Sequence, residues 1–181
     1  LYQINMINNY FSIDKFANPK ISCGFFTRKN GFSQNNFASL NCSYNSGDDN
    51  DIVFKNIEQA QKKINLNKKK LKIISQIHSN KVVILNKKNI KNKFEADGII
   101  TQDQNINIAV LTADCCPIFL FDDDASFISC LHAGWKGCYL NIVKNALIKI
   151  KKIQPIKKKI NAIIGPCLNK ENFEVNNDLI E

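Results

Sequence analysis

Two histidines and a pair of adjacent cysteines are the residues of this sequence best suited to chemistry. His78 and His132 are the only histidines in the chain, and Cys115-Cys116 lie between them. Each stands where a short apolar run meets turn residues, which is where α/β proteins commonly carry their sites. Zinc prefers imidazole nitrogen and thiolate sulfur, and three protein ligands leave a fourth position for water or substrate. The pattern therefore predicts a catalytic metal site built from both histidines and one cysteine.

The choice between the two cysteines depends on strand alternation. Successive side chains of a strand point to opposite faces, and Cys116 precedes Pro117 at the start of an apolar run, where we expect it to face the core. Cys115 follows Asp114 at the mouth of that strand and is the preferred ligand. The same residues also fit a structural role, because free cysteine packs as a small hydrophobe and an isolated histidine is often simply hydrogen bonded.

Four charged residues and one aromatic residue near these turns are candidates for the same pocket. Asp97 and Asp114 could orient a ligand histidine or act as acid or base, and each also fits a plain strand-end aspartate. Lys136 precedes a helical pattern, where a cation and backbone N–H groups favour an anion such as phosphate. Arg28, the only arginine, could clamp a carboxylate or phosphate. Trp135 could stack on a flat ring, and it fits simple packing equally well.

Apolar periodicity predicts short strands alternating with two helices. Helical spacing extends from about Asp51 to Ile64 and from Tyr139 to Ile150. Asn30-Gly31 is expected to turn the chain through positive φ angles, and His78 to Asn80 to be the turn between two strands. The predicted strands cover residues 21–26, 72–77, 81–85, 99–101, 106–111, 117–121, 127–131 and 160–164.

Composition and charge narrow the class of protein. A chain of 181 residues with 44% hydrophobic residues can bury a substantial core as one domain. We find no apolar run long enough to cross a membrane and no signal peptide. The net charge is +9, but the excess is lysine, whereas nucleic-acid readers favour arginine. We therefore interpret the lysine clusters as solvated faces of the protein. A basic module that binds polyanions is the alternative interpretation.

The cysteines indicate a reducing compartment. There are seven, none of them in a C-x-x-C spacing. An odd number without regular spacing does not fit a secreted disulfide framework. We therefore expect free thiols or metal thiolates and a cytoplasmic location.

Five short motifs, taken together, resemble a known family. They are Gln76-Ile77-His78-Ser79, Ala96-Asp97-Gly98, Thr112 to Pro117 (T-A-D-C-C-P), His132 to Gly137 (H-A-G-W-K-G) and Ile164 to Cys167 (I-G-P-C). In this order they are similar to the polyphenol oxidase or laccase-domain family, also called the purine nucleoside phosphorylase or peptidoglycan editing factor family. Arg28 to Asn41 and Gly47-Asp48 resemble its N-terminal part, so the resemblance covers almost the whole chain.

The resemblance implies a fold and a metal site. The fold would be α/β (α+β), a single domain over residues 1–181, with a mixed β-sandwich flanked by helices. The family's zinc ligands correspond to His78, Cys115 and His132. Its chains continue past the position of Glu181, so we expect the domain to be incomplete at the C-terminus. Cys116 stands where the family usually has an apolar residue, so the ligand assignment could shift by one.

The resemblance also implies an activity. The family cleaves adenosine, inosine and methylthioadenosine with phosphate, giving the free base and a ribose 1-phosphate, and deaminates adenosine as a second activity. In that reaction Arg28 and Lys136 would balance anionic charge, and Asp97 or Asp114 would fix a ligand or handle a proton. The expected cofactor is Zn²⁺ and the expected partners are a purine nucleoside and phosphate; the oligomeric state is left open.

Three other functions compete with this one. The family's older name implies copper-dependent oxidation of phenols, but a multicopper site needs many histidines and this chain has two. Another family name implies hydrolysis that corrects cell-wall precursors. A third alternative is a non-enzymatic protein, either the basic binding module or a relative whose site is vestigial.

Overall fold

The computed structural model describes residues 5–7, 10–12, 20–66, 70–156 and 158–175. The helices within these ranges are α1 (Asn50–Lys63), α2 (Trp135–Tyr139) and α3 (Ile142–Ile153), and 3₁₀ turns cover Asn35–Phe37 and Lys170–Asn172. The strands are β1 (Asn5–Ile7), β2 (Tyr10–Ser12), β3 (Gly24–Phe26), β4 (Lys70–Ile73), β5 (Val82–Leu85), β6 (Gly98–Thr101), β7 (Ile106–Ala109), β8 (Cys116–Asp122), β9 (Ile128–Ala133) and β10 (Ile160–Ile164). No helix in the described ranges is long and apolar enough to span a membrane.

A five-stranded mixed sheet is the centre of the fold, in the order β10-β8-β9-β6-β5. Strands β5 and β6 are parallel, and the other neighbours are antiparallel. Strand β6 is buried along its whole length, as expected for a strand that is apolar on both faces. Ile100 packs in the cluster that includes Ala146 and Ile150 of α3, whereas Ile99 packs with Ile74 on the opposite face.

Two smaller sheets accompany the central one. Strands β4 and β7 form a parallel pair, and β1, β2 and β3 form an antiparallel sheet. Ile108 of β7 packs against the cluster that contains Ile99. Phe25 of β3 stacks on Phe119 of β8 with ring centroids 4.6 Å apart. The predicted α/β (α+β) class, with mixed β-sheets and few helices, is therefore confirmed.

The two predicted helices fare differently. The first begins one residue before the predicted start, because the Asp49 carboxylate accepts hydrogen bonds from the amides of Asp51 and Ile52 at 2.8 and 3.3 Å and caps it. The predicted start of the second at Tyr139 is wrong. Asn141 has a left-handed φ of 60° and separates α2 from α3. Asparagine tolerates this conformation, and apolar spacing carries no sign of it.

The turn at Asn30-Gly31 is only half as predicted. Asn30 has a positive φ of 66°, but Gly31 does not. Gly31 is required for space instead, because a Cβ there would lie 2.0 Å from the carbonyl oxygen of Ser39.

Strand β4 is shorter than the predicted strand 72–77. Beyond Ile73 the main chain leaves β7, and Ser75 bridges to Glu95 instead. Strands β4 and β5 consequently belong to different sheets, and His78 to Asn80 connect the two sheets. Strand β10 has the predicted bounds, and β9 extends to Ala133, so that His132 lies within the strand.

Candidate metal centre

Three side chains from separate parts of the sequence converge at one point. His78, Cys115 and His132 each offer one nitrogen or sulfur atom, and these atoms lie within 4.8 Å of one another. Ligand atoms on one tetrahedral zinc ion, at about 2.0–2.1 Å for nitrogen and about 2.3 Å for sulfur, stand roughly 3.3–3.6 Å apart. A small closure would therefore bring the three onto one ion, and the cluster could bind a metal.

Strand pairing explains much of this convergence. In the β8–β9 ladder Pro117 pairs with His132 and Cys116 with Ala133. Cys115 directly precedes β8 and therefore lies near His132. His78 lies in the connection between the sheets, with a left-handed φ of 54°. Its ring meets the His132 ring edge-on, with centroids 4.8 Å apart and planes at 84°.

The carboxylate of Asp97 connects two of the three candidate ligands, His132 and His78. Its Oδ1 atom lies 2.8 Å from Nδ1 of His132 and accepts a hydrogen bond from the amide of His78 at 3.0 Å. Its Oδ2 atom accepts bonds from the amide and hydroxyl of Ser79 at 2.6 and 2.7 Å. This arrangement leaves Nε2 of His132 for a metal, as in the carboxylate–histidine–metal arrangement common in metalloproteins.

Hydrogen bonding favours the ionised carboxylate of Asp97, which is the form that accepts these bonds. Asp97 is fully buried, and burial alone would raise its pKa. The bonds from His132, Ser79 and His78 outweigh burial and hold the pKa of the carboxyl below its ordinary value. Because Asp97 is buried and its oxygens are already engaged, it is better suited to orienting His132 than to transferring a proton to or from a substrate.

The two adjacent cysteines lie in different environments. Cys115 is half-buried beside the histidines, and burial followed by the charge of Asp114 raises its thiol pKa. A bound cation is the charge that would counter both effects. Cys116 packs against the main core cluster, and burial followed by Cys167 raises its pKa to about 12. The geometry thus brings Cys115, and not Cys116, to the histidines.

Gly134 lies directly against the three side chains of the cluster. A Cβ there would stand 3.1 Å from Cδ2 of His78, 3.2 Å from Sγ of Cys115 and 3.7 Å from Cε1 of His132. The first two contacts are tighter than ordinary van der Waals contact, so a side chain at this position would press on His78 and Cys115. Gly134, two residues after the histidine of the H-A-G-W-K-G motif, therefore leaves room for His78 and Cys115 to lie beside His132.

The other candidate residues differ in whether they line the cavity that contains the cluster. A cavity of about 1490 Å³ is lined by the three ligands together with Asp114 and Arg28, but not by Lys136. Nε and Nη2 of Arg28 donate to the carbonyl oxygen of Ala38 at 2.9 and 2.6 Å. Lys136 is exposed, with its ammonium 5.2 Å from the centre of the Trp135 ring. The structure thus places Arg28 and Asp114 on the cavity and Lys136 outside it.

Two residues near the ligands have contacts that the sequence did not suggest. Ser79 gives Asp97 two hydrogen bonds, and the side chain of Gln76 bonds to both backbone groups of Leu111. Both residues belong to the Q-I-H-S motif. The only sequence signal was their proximity to His78, and spacing alone could not identify their partners.

Comparison with known proteins shows the family. The profile described as "Multi-copper polyphenol oxidoreductase laccase" matches residues 22–181. The chain is 34% identical over 153 residues to a protein of Corynebacterium glutamicum named purine nucleoside phosphorylase, covering 83% of this chain and 62% of that protein. A protein of the same name from Bacteroides thetaiotaomicron is 28% identical over 181 residues, covering 95% of this chain and 66% of that protein.

A solved structure supports the fold. The crystal structure of YlmD from Geobacillus stearothermophilus superposes with a TM-score of 0.85 at 22% identity, covering 99% of this chain and 69% of that chain. The present chain thus spans about two thirds of the length of these proteins. The match over residues 22–181 confirms the resemblance carried by the five motifs: the chain belongs to the multi-copper polyphenol oxidoreductase laccase family.

Proposed function

We propose that this chain carries the metal site of a zinc-dependent purine nucleoside phosphorylase that also deaminates adenosine. The observation that carries the proposal is the convergence of His78, Cys115 and His132 within 4.8 Å. Relatives named purine nucleoside phosphorylase support an enzyme of this type. Adenosine, inosine and methylthioadenosine are the proposed nucleosides, with phosphate as co-substrate.

The proposed reaction exchanges one bond for another. The C1′–N9 bond of the nucleoside breaks, a bond forms between C1′ and a phosphate oxygen, and N9 of the purine takes a proton. His78, Cys115 and His132 would hold the zinc, which when bound supplies Lewis-acid polarisation of an oxygen atom. Asp97 keeps His132 oriented through the 2.8 Å contact to Nδ1.

Two polar residues on the cavity have proposed roles in this reaction. Arg28 would balance the charge of phosphate, because it is among the residues that line the same cavity as the candidate ligands. Asp114 is exposed beside Cys115 and would handle the proton. Lys136 would contribute to charge balance only from outside the cavity, so we assign it the lesser role.

Copper chemistry is the second candidate, because the family's description names it. A donor set of two histidines and one cysteine also occurs in single-copper sites. The described residues bring two histidines and one cysteine together at one point, which suits one metal ion and not the several that a multicopper oxidase holds. Zinc phosphorolysis is therefore the function that the residues support better.

The test is product analysis of adenosine incubated with metal-replete protein, with and without phosphate. Adenine and ribose 1-phosphate that appear only with phosphate would support the phosphorylase, and inosine formed without phosphate would support the deaminase. His78→Ala should abolish both activities. Lys158→Ala, which replaces an exposed residue just before β10, serves as the control. Absence of product from a protein shown to hold zinc would count against the proposal and direct attention to phenols or cell-wall precursors.

A further inference from the structure

The paired strands β4 and β7 separate just before the metal ligands. Their ladder ends with Ile73 opposite Ala109. Beyond it the main chain of Ser75 turns to another segment, where its amide donates to Phe94 at 3.1 Å and its carbonyl accepts from Ala96 at 3.1 Å. The ladder therefore stops holding the two strands together at the point where each chain continues toward a ligand.

The side chain of Gln76 replaces the missing ladder. Its Nε2 donates to the carbonyl oxygen of Leu111 at 2.7 Å, and its Oε1 accepts from the amide of Leu111 at 2.7 Å. A primary amide carries one acceptor and a donor group, so it can pair with a backbone residue as a neighbouring strand would. These two bonds join segments 35 residues apart in sequence.

Both joined segments lead directly to metal ligands. Gln76 is followed two residues later by His78, and Leu111 is followed four residues later by Cys115. The main chain of His78 is already fixed by Asp97, which also orients His132. Cys115 has no such contact with Asp97 in the described residues, and the Gln76–Leu111 pair connects its segment to the histidine turn.

We infer that Gln76 is a positioning residue that sets Cys115 at the distance from His78 required for shared metal coordination. The inference rests on the metal site of the proposed function. Under this inference, three residues of the segment 76–79 serve the same site. His78 is a ligand, Ser79 bonds to the carboxylate that orients His132, and Gln76 places Cys115. Groups that hydrogen bond directly to a metal ligand commonly change metal affinity by about 10–100-fold when they are removed. Gln76 acts one step further out, through the main chain of Leu111, so we expect an effect at the lower end of that range.

The experiment compares two substitutions that each remove a side-chain amide bonded to the backbone, one beyond the end of the β4–β7 ladder and one within β7. Gln76→Met keeps the length of the side chain and removes both hydrogen bonds to Leu111. Asn107→Leu removes the bond from a buried β7 amide to the carbonyl of Leu66, 2.9 Å long, away from the ligands. Gln76→Glu, which keeps only an acceptor for the Leu111 amide, is the second variant in case Gln76→Met does not fold.

Two readouts report on the metal and not on turnover. Zinc affinity is measured by competition with a chromophoric chelator, and bound Co²⁺ gives an absorption band from thiolate-to-cobalt charge transfer. We expect Gln76→Met to lose roughly tenfold or more in zinc affinity and to weaken the charge-transfer band. Gln76→Glu should lie between it and the unsubstituted chain, and Asn107→Leu should keep both the affinity and the band.

The inference would be overturned by unchanged affinity and an unchanged cobalt spectrum in the Gln76 variants. Equal losses in the Gln76 and Asn107 variants would also overturn it, since they would indicate general loosening of the sheet. An unsubstituted chain that binds zinc but cleaves no nucleoside would refute the phosphorylase and leave this inference standing. An unsubstituted chain that binds neither metal would refute both.

Discussion

The backbone of His78 has a conformation that histidine adopts at a cost. Its φ of 54° lies in the left-handed region, where a residue with a Cβ loses about 1–2 kcal/mol relative to the right-handed one. The surrounding hydrogen bonds hold it there, because Asp97 accepts from the amides of both His78 and Ser79. Strain of this type is typical of functional positions.

We expect His78→Asn to retain or increase the stability of the metal-free protein while abolishing metal binding. Asparagine tolerates the left-handed region better than most residues, so the free energy of unfolding should rise by up to about 1 kcal/mol. Urea unfolding of the metal-free protein and zinc titration are the measurements.

Ala125 provides the matched control for this substitution. It also has a left-handed φ of 54°, but it lies in the turn between β8 and β9 and is not a metal-type ligand. Ala125→Asn should affect stability in the same direction and leave zinc affinity unchanged. A clear loss of stability in His78→Asn alone would show that the histidine ring contributes to folding without metal.

The three residues that converge could be singled out from the sequence, but the arrangement around them could not. Residue chemistry and spacing singled out His78, Cys115 and His132, because few side chains bind zinc well and the chain has few histidines. Asp97 was one of several aspartates with an open role. Its bond to His132 depends on the pairing of β6 with β9. That pairing brings together two residues, Asp97 and His132, that are 35 positions apart in sequence.

At the scale of elements, local patterns were predictable where one segment decides its own structure. The capped amphipathic helix α1 and strand β10 are of this kind. The break between α2 and α3 depends on the conformation of Asn141, and the end of β4 depends on Ser75 finding Glu95 elsewhere. Short apolar runs also do not reveal which sheet they join, so β4 and β5 could not be assigned to different sheets.

A polar network fixes the loop that carries Arg28 against helix α1. The buried amide of Asn56 donates to Ser33 and to the carbonyl of Asn41 at 2.8 Å each and accepts from the amide of Phe32 at 2.7 Å. Ser33 and Asn41 in turn donate to Oδ2 of Asp48 at 2.6 and 3.0 Å. This network holds the N-terminal wall of the cavity in place.

Asp48 makes the stability of this loop dependent on pH. Hydrogen bonds from Ser33, then Asn41, and from the amide of Asp49 hold the pKa of Asp48 below its ordinary value of 3.8. The carboxylate therefore stabilises the fold above that value, and the contribution is lost as the pH falls through the lowered pKa.

We expect Asp48→Asn to be less stable than the unsubstituted protein at pH 7, and the difference in the free energy of unfolding to disappear as the pH falls through the lowered pKa of Asp48. The measurement is chemical unfolding followed across that range of pH. Asp124→Asn, in the exposed turn after β8, serves as the control and should show no such convergence. A difference that persists unchanged at the lowest pH would contradict an electrostatic role for Asp48.

At the scale of the whole molecule, the candidate metal site depends on the folding of several parts of the described region. Its ligands come from the connection between two sheets, the residue before β8 and the inside of β9. The unfolded chain offers no such arrangement, so a metal that binds the folded state adds to stability by linkage.

We expect zinc at a hundredfold excess over its dissociation constant to add about 2.7 kcal/mol to the free energy of unfolding. For a chain of this size that corresponds to a rise in melting temperature of roughly 5–10 °C. Thermal unfolding with and without zinc is the measurement, and His78→Ala should remove the shift.

The same measurement separates the enzyme from a basic polyanion-binding module. The net charge of +9 would allow polyphosphate or RNA to stabilise such a module. That stabilisation would decline steeply with salt and would not depend on His78. A large polyanion shift together with no response to zinc would favour the binding module.

The left-handed backbone at His78 also has an evolutionary meaning. Selection for stable folding favours asparagine or glycine at this position, whereas selection for chemistry retains histidine, so the two pressures oppose each other. Asp97 is under no such conflict, because it holds the turn together whether or not a metal is present. In relatives that no longer bind a metal, we therefore expect His78 to be substituted first and Asp97 to be retained. The pair would then record, in sequence alone, whether a related protein still uses its site.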